Sequence, residues 1–210
     1  MFTSHVGTYL EITYKCQVVY RFNEPRMRDK SGDSIPANAT KPGINTRSEI
    51  IQEPEAIRDS LEQLSKIREI AAKIQKVDPK LIIVTGSGTS YHAGNAAVYF
   101  LHSQAKMPCY SVHPSEFPYF TKFIIDDKTV LIPISQSGES SDTIEASKIA
   151  AEKGALVIPI VNEHDSTLAK LVPGNVIFSR AGKERSVLAT KTYSSQLAIV
   201  SFISLELGMG

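Results

Sequence analysis

Apolar residues follow two rhythms along this chain, and the change between them divides it. Ile57, Leu61, Leu64, Ile67, Ile70 and Ile74 recur at spacings of three and four, which lays one apolar stripe along a helical region beginning near Ser48. Pro54 near the front of that run suits a first helical turn, where a missing N–H leaves nothing unpaired. After Val77-Asp-Pro-Lys80, short unbroken apolar runs alternate with helical patterns. Strands are expected at 80–85, 107–113, 129–134, 155–161 and 175–179. Helices are expected at 89–104, 140–153 and 189–207, with short helical turns at 115–120 and 166–171. Strands without polar alternation are buried on both faces, so the expected class is α/β with a helix-covered parallel sheet.

Residues 1–45 differ from the rest. Leu10, Ile12, Tyr14 and Cys16 share one face of a possible extended strand over 9–22. The stretch 21–45, with Pro25, Gly32, Pro36, Pro42 and Gly43 among polar residues, reads as linker. A lone strand is not stable by itself, so this segment docks as a sheet edge, pairs with another chain or is disordered. Met27 is an alternative start, which mass spectrometry of the native N-terminus would reveal. The expected organisation is an extension over 1–45 and one folded domain over 46–210.

In open parallel sheets, ligands bind beyond the carboxyl ends of the strands, where strand order reverses. The loops at 85–90, 113–116, 135–140, 161–166 and 180–191 therefore matter most. In Ile132-Pro-Ile-Ser-Gln-Ser-Gly-Glu-Ser-Ser-Asp-Thr-Ile144 a β-branched run stops at a hydroxyl-rich turn and a helix begins at once. Ser135, Gln136, Ser137 and Ser140 set side-chain donors beside the free N–H groups of that helix start. The helix dipole contributes roughly 0.3–2 kcal/mol to an anion held there. No Lys stands in the loop, so it is not the phosphate loop of nucleotide hydrolases. Neutral hydroxyls and amides suit the dianion of a phosphomonoester, although Ser and Asp also serve simply as helix caps.

The first strand ends Thr85-Gly-Ser-Gly-Thr-Ser90, with two glycines for close backbone approach and hydroxyls at the next helix start. A dinucleotide fingerprint would need glycine at Tyr91 and an acidic residue where His113-Pro114 stands, and both tests fail. Glu139 could be read as an acid–base group. Beside a dianion its carboxylate would be repelled, so hydrogen bonding to backbone is its expected role. The polar loop from Ala181 to Thr192 is either a solvated connector or part of the site.

Composition narrows the picture. The chain has 210 residues, 42% hydrophobic and 21% charged, as expected for a soluble globular protein. A net charge of +1 implies neither a nucleic-acid surface nor a membrane patch. No apolar run is long enough to span a bilayer, and the N-terminus does not read as a secretory signal. With only Cys16 and Cys109, a reducing cytoplasmic location is the simpler expectation. His5, His92, His102, His113 and His164 show no metal-binding spacing, so neither a metal nor a cofactor is expected.

Together these loops resemble the sugar isomerase (SIS) domain. More narrowly, they are similar to the first of two such domains in the isomerase part of glutamine–fructose-6-phosphate aminotransferases and related glucosamine-6-phosphate deaminases. The matching stretches are Glu49-Ile-Ile-Gln-Glu-Pro54, Gly88-Thr-Ser-Tyr-His92, Ser115-Glu-Phe117 and Ile134-Ser-Gln-Ser-Gly-Glu139. To these add Asn162 with Ser166-Thr-Leu168, and Thr190-Lys191 followed by Gln196. The resemblance implies a three-layer αβα sandwich with a five-stranded, parallel, flavodoxin-like sheet. It implies a ligand such as fructose 6-phosphate or glucosamine 6-phosphate. Ser135, Gln136, Ser137 and Ser140 would bind the phosphate, with Ser90 and Thr89 adding contacts. Val187 and Ala189 would line the sugar through their backbone, beside Gly88. Many members carry Thr at Ser140, which keeps the hydroxyl, and Ser at Ala189, whose side chain this chain lacks.

The resemblance also carries expectations of incompleteness. The chain lacks a Cys-Gly start, so it is not expected to release ammonia from glutamine. In two-domain members the catalytic Glu and Lys and the ring-opening His come from the second domain and tail. The expected active site is therefore incomplete without a second SIS domain or a second copy, and little turnover is expected from this chain alone. Glu184-Arg-Ser-Val187 looks closer to the deaminase branch. A single-domain phosphosugar isomerase working as an oligomer is the nearest alternative. A sugar-phosphate sensor is another, but it wants a helix-turn-helix that residues 1–45 do not suggest.

Overall fold

A computed structural model describes residues 43–209; the strand expected at 9–22 lies outside the described residues. Three helices lead in: α1 (Ile44–Ile51), α2 (Glu53–Leu61) and α3 (Leu64–Val77). Helix begins at Ile44, ahead of the expected start near Ser48, and Pro54 does occupy the first turn of α2. The apolar stripe runs across a break at Gln63 that periodicity alone does not reveal. There the buried Gln63 amide donates to the carbonyls of Ser60 and Phe178, which pins the helix junction to the distant strand β6 (Ile177–Phe178).

Beyond α3 the alternation follows the expected order. β1 (Leu81–Gly86) leads to α4 (Thr89–Phe100), which ends in a single π-turn, Leu101–Ala105, instead of running on as α-helix to 104. β2 (Cys109–Val112) is followed by two 3₁₀ turns, Pro114–Glu116 and Thr121–Ile124. β3 (Thr129–Ser135) precedes α5 (Ser141–Glu152), β4 (Leu156–Val157) and β5 (Ile160–Val161). α6 (Thr167–Leu171), β6 and α7 (Lys191–Met209) complete the described chain.

The sheet has six strands, not five, and every pairing in it is parallel. The extra strand comes from the single strand expected at 155–161, which is divided. Pro159 has no N–H to give to the ladder, so β4 and β5 lie along β3 with Ile158-Pro159 between them. Ile158 still donates to the Leu131 carbonyl at 2.8 Å, so the line bends without leaving the sheet. With β4 and β5 on one line, the order β2-β1-β3-β5-β6 is the flavodoxin-like one.

Side-chain alternation explains the layers. Ile82, Val84, Val130 and Ile132 point to the face covered by α3, α4 and α7, where they meet Ile70, Ala97 and Ile199. Ile83, Leu131 and Val157 point the other way, onto Phe117 and onto Ala146 and Ala150 of α5. Each fully buried Ile or Leu contributes roughly 1.5–3 kcal/mol relative to exposure. The result is a three-layer αβα sandwich whose strands deliver their loops to one carboxyl edge.

Candidate functional site

β1 and β3 are neighbours, and their last paired residues are Gly86 and Ile134. β1 is flanked by β2 on its other side, so the chain leaves it in opposite directions across this gap, which is the switch point of the sheet. Gly86 makes the juxtaposition possible. A Cβ there would lie 2.7 Å from the Ile134 carbonyl oxygen and 3.0 Å from the Ser90 Cβ. The exit of β1, the end of β3 and the first turn of α4 are thus in van der Waals contact. Gly88 caps α4 at a φ of 60°, Thr89 opens the helix, and Ser90 is buried behind it.

The loop after β3 is organised by its own hydroxyls. Ser135 Oγ accepts from the Gly138 N–H at 3.0 Å, and Ser137 Oγ accepts from the Glu139 N–H at 3.2 Å. Ser140, the N-cap residue of α5, accepts from Thr143 Oγ1 at 3.1 Å. A serine hydroxyl has one hydrogen and two lone pairs. Each of these three uses a lone pair inside the protein and retains its O–H for a ligand. They stand at the positive end of α5, a helix long enough for its dipole to favour an anion. Ser90 is different: its O–H donates to Gln196 Oε1 at 3.2 Å.

Glu139 is committed elsewhere. Its carboxylate accepts from the Thr167 N–H at 2.7 Å and the Thr167 hydroxyl at 2.8 Å, and these two bonds hold its carboxyl below the ordinary range. Gly138, at a φ of 66°, brings its carbonyl to the Leu168 N–H at 3.0 Å, so the whole loop is moored to α6.

Further along the carboxyl edge, a chain of hydrogen bonds joins the loops. The Asn162 N–H donates to the Gln136 carbonyl at 3.2 Å, and its side-chain amide donates to the Gly182 carbonyl at 2.9 Å. Asn162 Oδ1 accepts from the Ser179 hydroxyl and the Ala181 N–H, both at 2.9 Å. Two carboxylates then shape the segment leading into α7. Glu184 accepts from the backbone and hydroxyl groups of Thr190 and Thr192. Glu49, buried in α1, accepts from the Arg185 and Ser186 N–H groups. Burial pushes the Glu49 carboxyl up, but its bonds to Ser186 and Arg185 and the nearby Lys191 charge outweigh that and hold it low. Lys191, also buried, donates to Gln52 Oε1 at 2.8 Å.

Of the residues expected to bind ligand, Ser90, Thr89 and Gly88 line the first exit, and Ser135, Gln136, Ser137 and Ser140 line the second. Val187 is fully exposed and Ala189 half-buried on the segment that Glu184 and Glu49 anchor. Sequence reasoning assigned no role to Glu49, Asn162, Glu184 or Gln196. Three of them fall in the SIS-like stretches, which was the one available signal. A cavity of about 670 Å³ adjoins the site, lined by Asn162, Glu163, His164, Arg180, Gly182 and Lys183. Among the described residues no cluster of three or more His, Cys, Asp or Glu side chains could hold a metal, and no helix is long and apolar enough to cross a membrane.

Comparison with known proteins agrees with this fold. The SIS domain family model matches residues 77–205. Glutamine–fructose-6-phosphate aminotransferase of Pyrococcus horikoshii is 38% identical over 164 residues, covering 76% of this chain and 26% of that protein. The Methanococcus maripaludis aminotransferase of the same name is 39% identical over 162 residues, with the same coverage of 76% and 26%. The chain thus spans about a quarter of the length of these relatives. Among solved structures, the C-terminal domain of glucosamine-fructose-6-phosphate aminotransferase from Francisella tularensis superposes with a TM-score of 0.68 at 27% identity, covering 79% of this chain and 47% of that one. Tagatose-6-phosphate ketose/aldose isomerase from Escherichia coli shares the fold, with a TM-score of 0.64 at 20% identity over 74% of this chain and 45% of that one.

Proposed function

The chain belongs to the SIS domain family, and we propose that it binds a hexose 6-phosphate, fructose 6-phosphate or glucosamine 6-phosphate, in an aldose–ketose isomerase unit of amino-sugar metabolism. The observation that carries this reading is the set of Ser135, Ser137 and Ser140 hydroxyls, each with a lone pair satisfied within the protein and a hydrogen left over. A charge-assisted hydrogen bond contributes roughly 1.5–3 kcal/mol, so three of them with the α5 dipole hold a phosphate dianion without a cationic side chain. Gln136, Ser90 and Thr89 complete the phosphate cup, and Gly88, Val187 and Ala189 face the sugar.

The phosphate works as a remote handle. Isomerisation moves a proton between C1 and C2, at the far end of the sugar from the ester, and needs a base held in register with those carbons. Binding energy gathered at the phosphate fixes that register. Glu139 is engaged by Thr167 and does not serve as this base. The base comes from a second SIS domain or a second copy of the chain set against the carboxyl edge.

Calorimetric titration tests the reading. Fructose 6-phosphate binds, and free fructose at the same concentration does not. Equal binding of the two, or binding of neither, overturns it.

A further inference from the structure

We propose that Gln196 is a positioning residue, whose side-chain amide sets the direction of the Ser90 hydroxyl and turns over when an anion fills the site. The inference rests on the phosphate-binding reading above and adds to it the means by which one ligand group is oriented.

Ser90 and Gln196 are both almost completely buried, at 4% and 1% exposure, and lie 106 residues apart in sequence. The single Ser90 hydrogen points to Gln196 Oε1 at 3.2 Å. Ser90 therefore offers a ligand only lone pairs, and so does a phosphate oxygen. Ser135, Ser137 and Ser140 have no such conflict, because they accept within the protein.

For Ser90 to donate outward its hydroxyl must rotate, and Gln196 Oε1 then faces a bare Ser90 lone pair. Two buried acceptors at that distance are costly. The backbone has little room to relieve the clash, because α4 lies so close to β1 that a Cβ added at Gly86 would stand 3.0 Å from the Ser90 Cβ, and α7 is packed against α2, α3 and α4. A half-turn of the Gln196 amide can. It exchanges Oε1 for Nε2–H₂ with no change of volume, and Nε2 donates to the rotated Ser90 oxygen. Glutamine is the residue that fits both states. Glutamate would only accept, and methionine of similar size would offer almost nothing.

The test follows the Gln196 side-chain ¹⁵N–¹H₂ resonances of the intact chain during titration with fructose 6-phosphate. They shift on binding in the native protein and do not shift in Ser90→Ala. In parallel, Gln196→Met, which adds no charge beside the phosphate and cannot hold the hydroxyl, weakens binding about fivefold, and in the Ser90→Ala background it changes affinity less than about twofold. A purely structural role for Gln196 would lower affinity equally in both backgrounds. If the native protein binds and Ser135→Ala weakens that binding while the Gln196 resonances stay fixed, the amide proposal falls and the phosphate site stands. If the native protein does not bind, both fall.

Discussion

Glu139 and Thr167 form a paired contact, in which one carboxylate accepts both the backbone N–H and the hydroxyl of the same residue at 2.7 and 2.8 Å. This places the one acidic side chain of the Ser135–Ser140 loop in service of α6. Glu139→Gln should therefore keep fructose 6-phosphate affinity within about threefold, a change too small for a lost ligand contact, while lowering the melting temperature. The carboxyl is depressed in the folded state, so its stabilisation is in place above its ordinary value of 4.5 and disappears as pH falls through the lowered one. Melting curves of the two proteins should converge at that acidic end.

Gly138 and Gly86 are required for different physical reasons. Gly138 has a φ of 66°, and a Cβ there would run into the Ser166 side chain. Gly138→Ala should cost about 2 kcal/mol or more in urea unfolding and detach the loop from α6. Gly86 has no such dihedral; its Cβ would press on the Ile134 carbonyl at 2.7 Å. Gly86→Ala should spread the two strand exits, so phosphate affinity should fall by more than overall stability does.

Much of this fold was legible because its strands are short, continuous and apolar. Leu81–Gly86 and Thr129–Ser135 could hardly be anything else once helices flank them. The misjudged places are those where one residue acts against a regional pattern. Pro159 divides a strand that hydropathy reads as whole, and Gln63 breaks a helix whose apolar stripe continues past it. The serines of the proposed phosphate loop could be read locally, since they fall within six consecutive residues, Ser135–Ser140. Glu49, Asn162 and Gln196 could not. Each acts on a partner far along the chain, and Glu49 reaches Ser186 across 137 positions. A buried carboxylate among helix residues carries no local mark of the backbone it will satisfy.

Asn162 links the loops after β3, β5 and β6, reaching Gln136 through its backbone N–H and Ser179, Ala181 and Gly182 through its side chain. Asn162→Ala should cost about 2–3 kcal/mol, because the Ala181 N–H and Gly182 carbonyl lose their partners. Asn162→Asp keeps the acceptor for Ser179 and Ala181 and should cost less. Unfolding by urea separates the two. Equal losses would mean that the Oδ1 bonds do not hold the loop.

Glu49 should give a pH signature in the folded protein. Its carboxyl is held low against the opposing effect of its own burial, so its support of the Arg185–Ser186 backbone is present above 4.5 and is lost on acidification through the depressed value. Glu49→Gln should cost about 1–3 kcal/mol at neutral pH and much less under acid. Hydrogen exchange at the Arg185 and Ser186 amides should speed up in the variant.

The claim that hydroxyls and amides at two adjoining strand exits form the phosphate site is tested most directly by a crystal structure of the chain with fructose 6-phosphate. The phosphate should lie within hydrogen-bond distance of the Ser135, Ser137 and Ser140 hydroxyls, at the N-terminus of α5. A phosphate seated instead between Arg180 and Lys183, in the neighbouring cavity, would contradict the account.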